Sequence, residues 1–223
     1  MVLAGKIFKI KEEIDLETIY EKLKNYKYEE EVNEGKLIRE IGNLILKSDS
    51  LEGIYFQDIP LYIKHREGEK LVIKTVEAPF LFQVYKDKIL LIILERKRMA
   101  NNIANILSKI IFISIGSIVE AKILPETMRK FHESNPEDTK VIFFDGVDIP
   151  NIDKLSLYGS QLADTNLYNE YLSRGMIWYI VFKSRKFGII VGITRNCVVT
   201  SFSKIEPKEF LNYIKEEIFP LIE

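Results

Sequence analysis

The chain has 223 residues, and its 32 basic side chains are balanced by 33 acidic ones, for a formal net charge of −1. With 47% of residues apolar it can bury a substantial core, and it has neither the high net charge nor the low hydrophobicity of a disordered chain. Near-neutrality also argues against a protein that coats nucleic acid or an anionic membrane through excess positive charge, which leaves that work to a local basic patch.

Cys197 is the only cysteine, so no internal disulfide is expected. Residues 1–10 contain Lys6 and Lys9 and no long apolar run. No secretory leader is expected, and the reducing cytoplasm is the expected location. The longest uncharged run in the middle, residues 110–119, is well short of the roughly 20 residues of a membrane-spanning helix. The 34 isoleucines, three glutamines and dense Lys and Glu are the archaeal-like composition of a thermophile, although an AT-rich genome favours the same residues.

Residues 6–10 alternate as a short strand. Asp15 is placed as the N-cap of a helix with Leu16, Ile19, Tyr20 and Leu23 on one face. Residues 37–47 read as a strand in which Gly42 marks a bulge. Four further strands are predicted at 53–57, 61–66, 70–76 and 80–86, with turn chemistry at 58–60 and 67–69. Residues 89–94 are apolar at every position, the pattern of a central strand covered on both faces. A helix then starts near Glu95, where Met99, Ile103, Ile106, Leu107 and Ile110 recur at helical spacing, and Gly116 is the break.

Beyond the break, residues 117–124 read as a strand. Pro125 opens a helix carrying Met128 and Phe131, and Asn135-Pro136 ends it. A strand at 140–144 leads into an insertion, 145–175, whose helix is capped by Asp164 or Thr165 and carries Leu167, Tyr168, Tyr171 and Leu172. Strands at 177–183, 187–194 and 198–204 follow. Pro207 opens the last helix, with Phe210, Ile214, Ile218 and Leu221 inward.

The expected fold is α+β, built of two halves, 1–114 and 115–223, that repeat the order strand, helix, antiparallel strands, helix, with the helices on one face of the sheet. That order is similar to the duplicated saddle-like folds of the TATA-box-binding family. The resemblance rests on element order, no motif of that family stands in the chain, and it implies a fold and not an activity. Edge strands that pair between copies would give a homodimer.

Several residue groups invite chemistry. Asp145 ends an apolar strand and Asp148 follows; with Glu120 they would form an oxygen-rich site for Mg²⁺. The bland alternative is a turn at Asp145-Gly146. Glu120-Ala121-Lys122 has the spacing of one class of metal-dependent nuclease, but the second acid that such a site needs one strand earlier is missing between Arg96 and Val119. His65 and His132 fall in different halves, no GxSxG turn exists, and Cys197 reads as a small residue opening a strand. One cysteine and two distant histidines exclude a clustered zinc site, and no cofactor is expected.

Lys183, Arg185 and Lys186 crowd one hairpin tip and Arg195 the next turn, a candidate anion-binding group; Arg96, Lys97 and Arg98 open a helix where cations oppose the dipole. Trp178, Ile180 and Phe182 share one face by alternation, Tyr179, Val181 and Lys183 the other. On the last strand Val199, Ser201 and Ser203 read as the solvent or ligand side, which assigns Phe202 to the core. No catalytic set is assembled. The expected function is a non-catalytic binding or regulatory protein that engages a nucleic-acid or protein partner through its open sheet face or the 145–175 insertion. The alternative is a metal-dependent phosphoester hydrolase or nuclease on Asp145, Asp148 and Glu120.

Overall fold

The computed structural model describes residues 3–32, 35–134 and 137–223, so the expected helix stop at Asn135 and Pro136 lies outside the described residues. Among the described residues five helices and twelve strands make the chain mixed α+β, and the strand pairs whose register is described are antiparallel. Among the described residues no helix is long and apolar enough to cross a membrane. The chain divides into two units: Phe8–Val119, and Met1–Ile7 with Glu120–Glu223. They are the N-terminal and C-terminal units below. Strand β1 (Leu3–Ile10) contributes residues to each.

In the N-terminal unit, α1 (Leu16–Leu23) starts where expected: the Asp15 carboxylate accepts the backbone N–H of Thr18 at 2.6 Å, and Leu16, Ile19 and Leu23 are buried. A meander follows, β2 (Lys27–Val32), β3 (Gly35–Leu46), β4 (Ser50–His65), β5 (Gly68–Tyr85) and β6 (Lys88–Ile93), and α2 (Lys97–Phe112) closes the unit. Leu23, Tyr55, Phe80, Phe82, Ile103 and Leu107 anchor its core, each worth about 1.5–3 kcal/mol of burial. The β6 segment is covered on both faces, since Leu90, Leu91, Ile92 and Ile93 are all buried. Gly53 lets Phe80 lie against β4, because a Cβ there would stand 2.5 Å from the Phe80 ring. The bulge expected at Gly42 lies between Gly42 and Ile45.

The turn expected at 58–60 is absent, whereas the one expected at 67–69 is present as the hairpin turn at residues 66–67. Residues 53–57 and 61–66 belong to the single strand β4, and residues 70–76 and 80–86 to β5. Asp58 is a cross-strand residue: its carboxylate accepts the Ile38 backbone N–H at 3.0 Å and the Thr75 hydroxyl at 2.7 Å. Pro60 stands opposite Ile73 in the ladder. β3 leaves β4 at Gln57 and β6 leaves β5 at Phe80. Beyond them β4 and β5 pair with each other alone among the described residues, out to His65 opposite Gly68. This two-stranded ribbon exposes Leu61, Tyr62, Ile63 and Ile73. β2 was not legible: Lys27–Val32 reads KYEEEV, with no apolar alternation.

β7 (Ile118–Glu120), far shorter than the expected 117–124, has Ile118 and Val119 in the N-terminal unit and Glu120 in the C-terminal one, which continues with α3 (Pro125–Ser134) and β8 (Thr139–Ile149). β9 (Ile152–Tyr158), a 3-10 turn and α4 (Asn166–Arg174) make up, with the end of β8, the expected 145–175 insertion. Thr165 caps α4, accepting the Tyr168 N–H at 3.1 Å. β10 (Met176–Lys183), β11 (Ile190–Thr194) and β12 (Val198–Ser201) follow. α5 (Pro207–Tyr213) continues as a π segment, Ile214–Ile218, and a 3-10 turn, Phe219–Leu221. The order across the sheet is β9-β8-β10-β11-β12, with β12 against β1.

One face of this sheet is a core face. It carries Phe144, Ile180, Phe182, Val191, Ile193 and Val199. Phe131 of α3 meets Phe182 at 4.7 Å, and Tyr171 of α4 meets Phe144 at 5.8 Å. The expected sidedness of the last strand is reversed. Val199 and Ser201 are buried at 0% exposure, and Phe202 is 51% exposed. Val199 pairs with the buried Ile193, and the Ser201 hydroxyl escapes solvent by donating to the Ser203 carbonyl at 2.9 Å.

Candidate binding surface

The opposite face of the same sheet carries a row of aromatic rings. Ladder pairing puts Phe143 (β8) beside Tyr179 (β10). Their rings are 5.5 Å apart, and Phe143 also meets Tyr158 (β9) at 5.9 Å and Trp178 at 5.8 Å. A register shift between Ile177 and Tyr179 makes Trp178 the extra residue of a bulge. That shift is why Trp178 does not alternate with Ile180 and Phe182 as expected. It lies instead beside Tyr179, with ring centroids 5.7 Å apart and planes 32° from parallel. Tyr158 is 68% exposed, and Phe143, Trp178 and Tyr179 are half-buried.

Gly192 on β11 makes room for this row. A Cβ at that position would stand 2.2 Å from the Tyr179 hydroxyl oxygen and 2.7 Å from its Cζ, so the ring lies flat across the glycine. Burial raises the Tyr179 hydroxyl above its ordinary pKa, and it stays protonated at neutral pH. The Lys154 ammonium sits 4.7 Å from the Trp178 ring centroid, a cation–π contact. Arg195 approaches from the β11–β12 turn: its backbone N–H donates to the Trp178 carbonyl at 2.9 Å, and its guanidinium pairs with Asp145. Trp178 Nε1 and the second Asp145 oxygen are buried without a hydrogen-bond partner among the described residues.

The four cations singled out in the sequence fall in two places. Arg195 stands beside Trp178, while Lys183, Arg185 and Lys186 gather at the β10–β11 connection. There Arg185 pairs with Asp138, and Lys186 pairs with Glu216. Arg96, Lys97 and Arg98 are exposed at the start of α2, with no side-chain cap.

Two of the three carboxylates proposed for a metal have cationic partners. Asp145 is bound by Arg195 and Glu120 by Lys6, whose side chain is fully buried. Among the described residues no group of three or more His, Cys, Asp or Glu side chains is placed to hold a metal ion. His65 lies at the ribbon tip and His132 is buried on α3. Cys197 is buried in a left-handed backbone conformation, φ 52°.

Sequence reasoning found Trp178, Tyr179 and Arg195 but missed Tyr158, Lys154 and Gly192. The alternation of Lys154, Ser156 and Tyr158 was the available signal, hidden inside a segment read as an insertion. The chain matches no protein-family model and no curated protein.

Proposed function

We propose that this chain is a non-catalytic binding protein whose open sheet face in the C-terminal unit takes single-stranded nucleic acid. The observation that carries the reading is the row formed by Tyr158, Phe143, Tyr179 and Trp178 across three adjacent strands. Every base has a π face, so such a row accepts successive bases with little regard to sequence, at about 1–3 kcal/mol per stacked base. Lys154 and Arg195 border the rings and supply cations for the phosphates. A near-neutral chain suits a binder that stacks bases better than one that coats a backbone.

The same proposal takes the two units as a duplication of one plan, with helices on one face. Each unit's own order supports it: helix α1, five antiparallel strands and α2 in one; helix α3, five antiparallel strands interrupted by α4, and α5 in the other. It also takes the unpaired edges of the β4–β5 ribbon as the place where a second copy docks to form a homodimer.

Trp178 is the only tryptophan, so its fluorescence reads the face directly. Titration with short thymidine and adenosine oligonucleotides at low salt is expected to quench it saturably. Tyr179→Ala and Phe143→Ala should each weaken binding about tenfold. Gly192→Ala, which displaces the Tyr179 ring, should do the same. Quenching that is absent at low salt, or unchanged in all three variants, rejects the reading.

A further inference from the structure

The open face of the C-terminal sheet continues beyond the ring row. Ladder pairing sets Ile190 (β11) opposite Lys183 (β10). On the other side of Ile190, the Phe202 N–H donates to its carbonyl at 2.8 Å, so Phe202 extends the β12 register by one residue. Side chains alternate along a strand, so Lys183 shares the face of Tyr179, and Ile190 that of Gly192. Their neighbours Val191 and Ser201 are buried on the core face. Ile190 is 39% exposed, Phe202 51%, and Lys183 is exposed as well. We propose that Phe202, Ile190 and Lys183 form a second subsite of this face. It holds a nucleotide beyond those stacked on the row, with the base on Phe202 and Ile190 and the phosphate on Lys183. The inference rests on the single-strand reading of the row and adds to it a minimum length of strand.

Register gives the spacing. Gly192 pairs with Thr200, so Phe202 is its diagonal neighbour, about 7–8 Å away between backbones and within reach of an aromatic side chain. The Tyr179 ring lies over Gly192, and Phe202 therefore carries the row onward past Tyr179. Charge follows the same line. Arg195 and Lys154 stand at the Trp178 end of the rings. Lys183 stands at the other end, four residues beyond Tyr179 along β10, or about 13 Å. Cations at both ends of a row of rings suit a chain that carries a phosphate at every step. Asp138, whose carbonyl accepts the Lys183 N–H, directs its carboxylate to Arg185, and Lys186 pairs with Glu216. Lys183 is the cation of this group that faces the rings.

Trp178 quenching by oligothymidylates of increasing length, from the dinucleotide upward, tests this. Strands that cover only the row should bind the parent chain, Phe202→Ala and Lys183→Met alike. Once a strand is long enough to pass Tyr179, its affinity for the parent chain should rise about tenfold, the gain expected of one further stacked base, and Phe202→Ala should remove that rise. For long strands alone, Lys183→Met should flatten the salt dependence from a log–log slope of about −2.1 to about −1.4, one phosphate contact fewer. Both side chains are exposed, so thermal melts of the variants should match that of the parent chain. Quenching by short strands with no gain on lengthening, or a gain that survives in both variants, overturns the second subsite and leaves the row standing. Absence of quenching at every length rejects the row and the subsite together. If Phe202→Ala changes the sedimentation of the free protein and not its affinity for long strands, the patch is a contact between copies and the proposal is overturned.

Discussion

His132 illustrates how one residue ties stability to pH. It is fully buried on α3, its Nδ1 lies 2.8 Å from the Thr139 hydroxyl, and its ring meets Tyr168 edge to face at 5.0 Å. Nε2 has no hydrogen-bond partner among the described residues. Burial pushes the His132 pKa down to about 4, against a weaker upward pull from Glu133. The unfolded chain keeps an ordinary value of about 6.5. Between those two values the unfolded state binds a proton that the folded state refuses, so stability is complete above about 6.5 and declines as pH falls toward about 4. Melting temperatures measured across that window should fall for the parent chain, and His132→Gln should flatten that part of the curve. A variant that keeps the full slope would assign it to other groups. The same scale shows what alternation cannot read. Trp178 is one residue out of phase because of a bulge that neither Gly nor Pro announces.

Among the elements, the legible ones had strong local signals. The Asp15 cap, the apolar 89–94 strand, the Thr165 cap and the Pro207 helix start each stand where the residues placed them. The break expected at 58–60 did not, because Asp58 and Pro60 carry turn chemistry while their neighbours hold them in an extended ladder. Two strands alone are marginally stable in water, and residues 60–70 are exposed on both faces. In a monomer their amides should therefore exchange with solvent far faster than those of β6, whose ladder lies in the core. Hydrogen exchange followed by mass spectrometry checks this at low concentration. Protection that appears only as concentration rises would mark ribbon pairing between copies; protection equal to β6 at every concentration would contradict the ribbon's independence.

For the whole molecule, charge balance constrains how nucleic acid would be held. With Lys154 and Arg195 as two phosphate partners, the logarithm of affinity for a single strand should fall with the logarithm of salt at a slope of about −1.4. Trp178 titrations across a salt series measure it. A slope several times steeper would place the contact on a basic surface and not on the rings. The α+β class followed from periodicity and turn chemistry, whereas the ring row did not, because it is assembled from β8, β9 and β10 by cross-strand register. Likewise, Glu216 and Glu217 meet Ser184 and Lys186 from more than 25 positions away along the chain.

The burial of Cys197 has a practical corollary. A sulfhydryl sealed from solvent gives maleimide reagents nothing to attack in the native state. A single surface thiol introduced at Tyr62 on the ribbon, or at Tyr158 beside the rings, could thus carry a dye or a spin label alone, without first deleting the natural one. Distances and mobilities at those two positions become measurable in an otherwise unaltered chain.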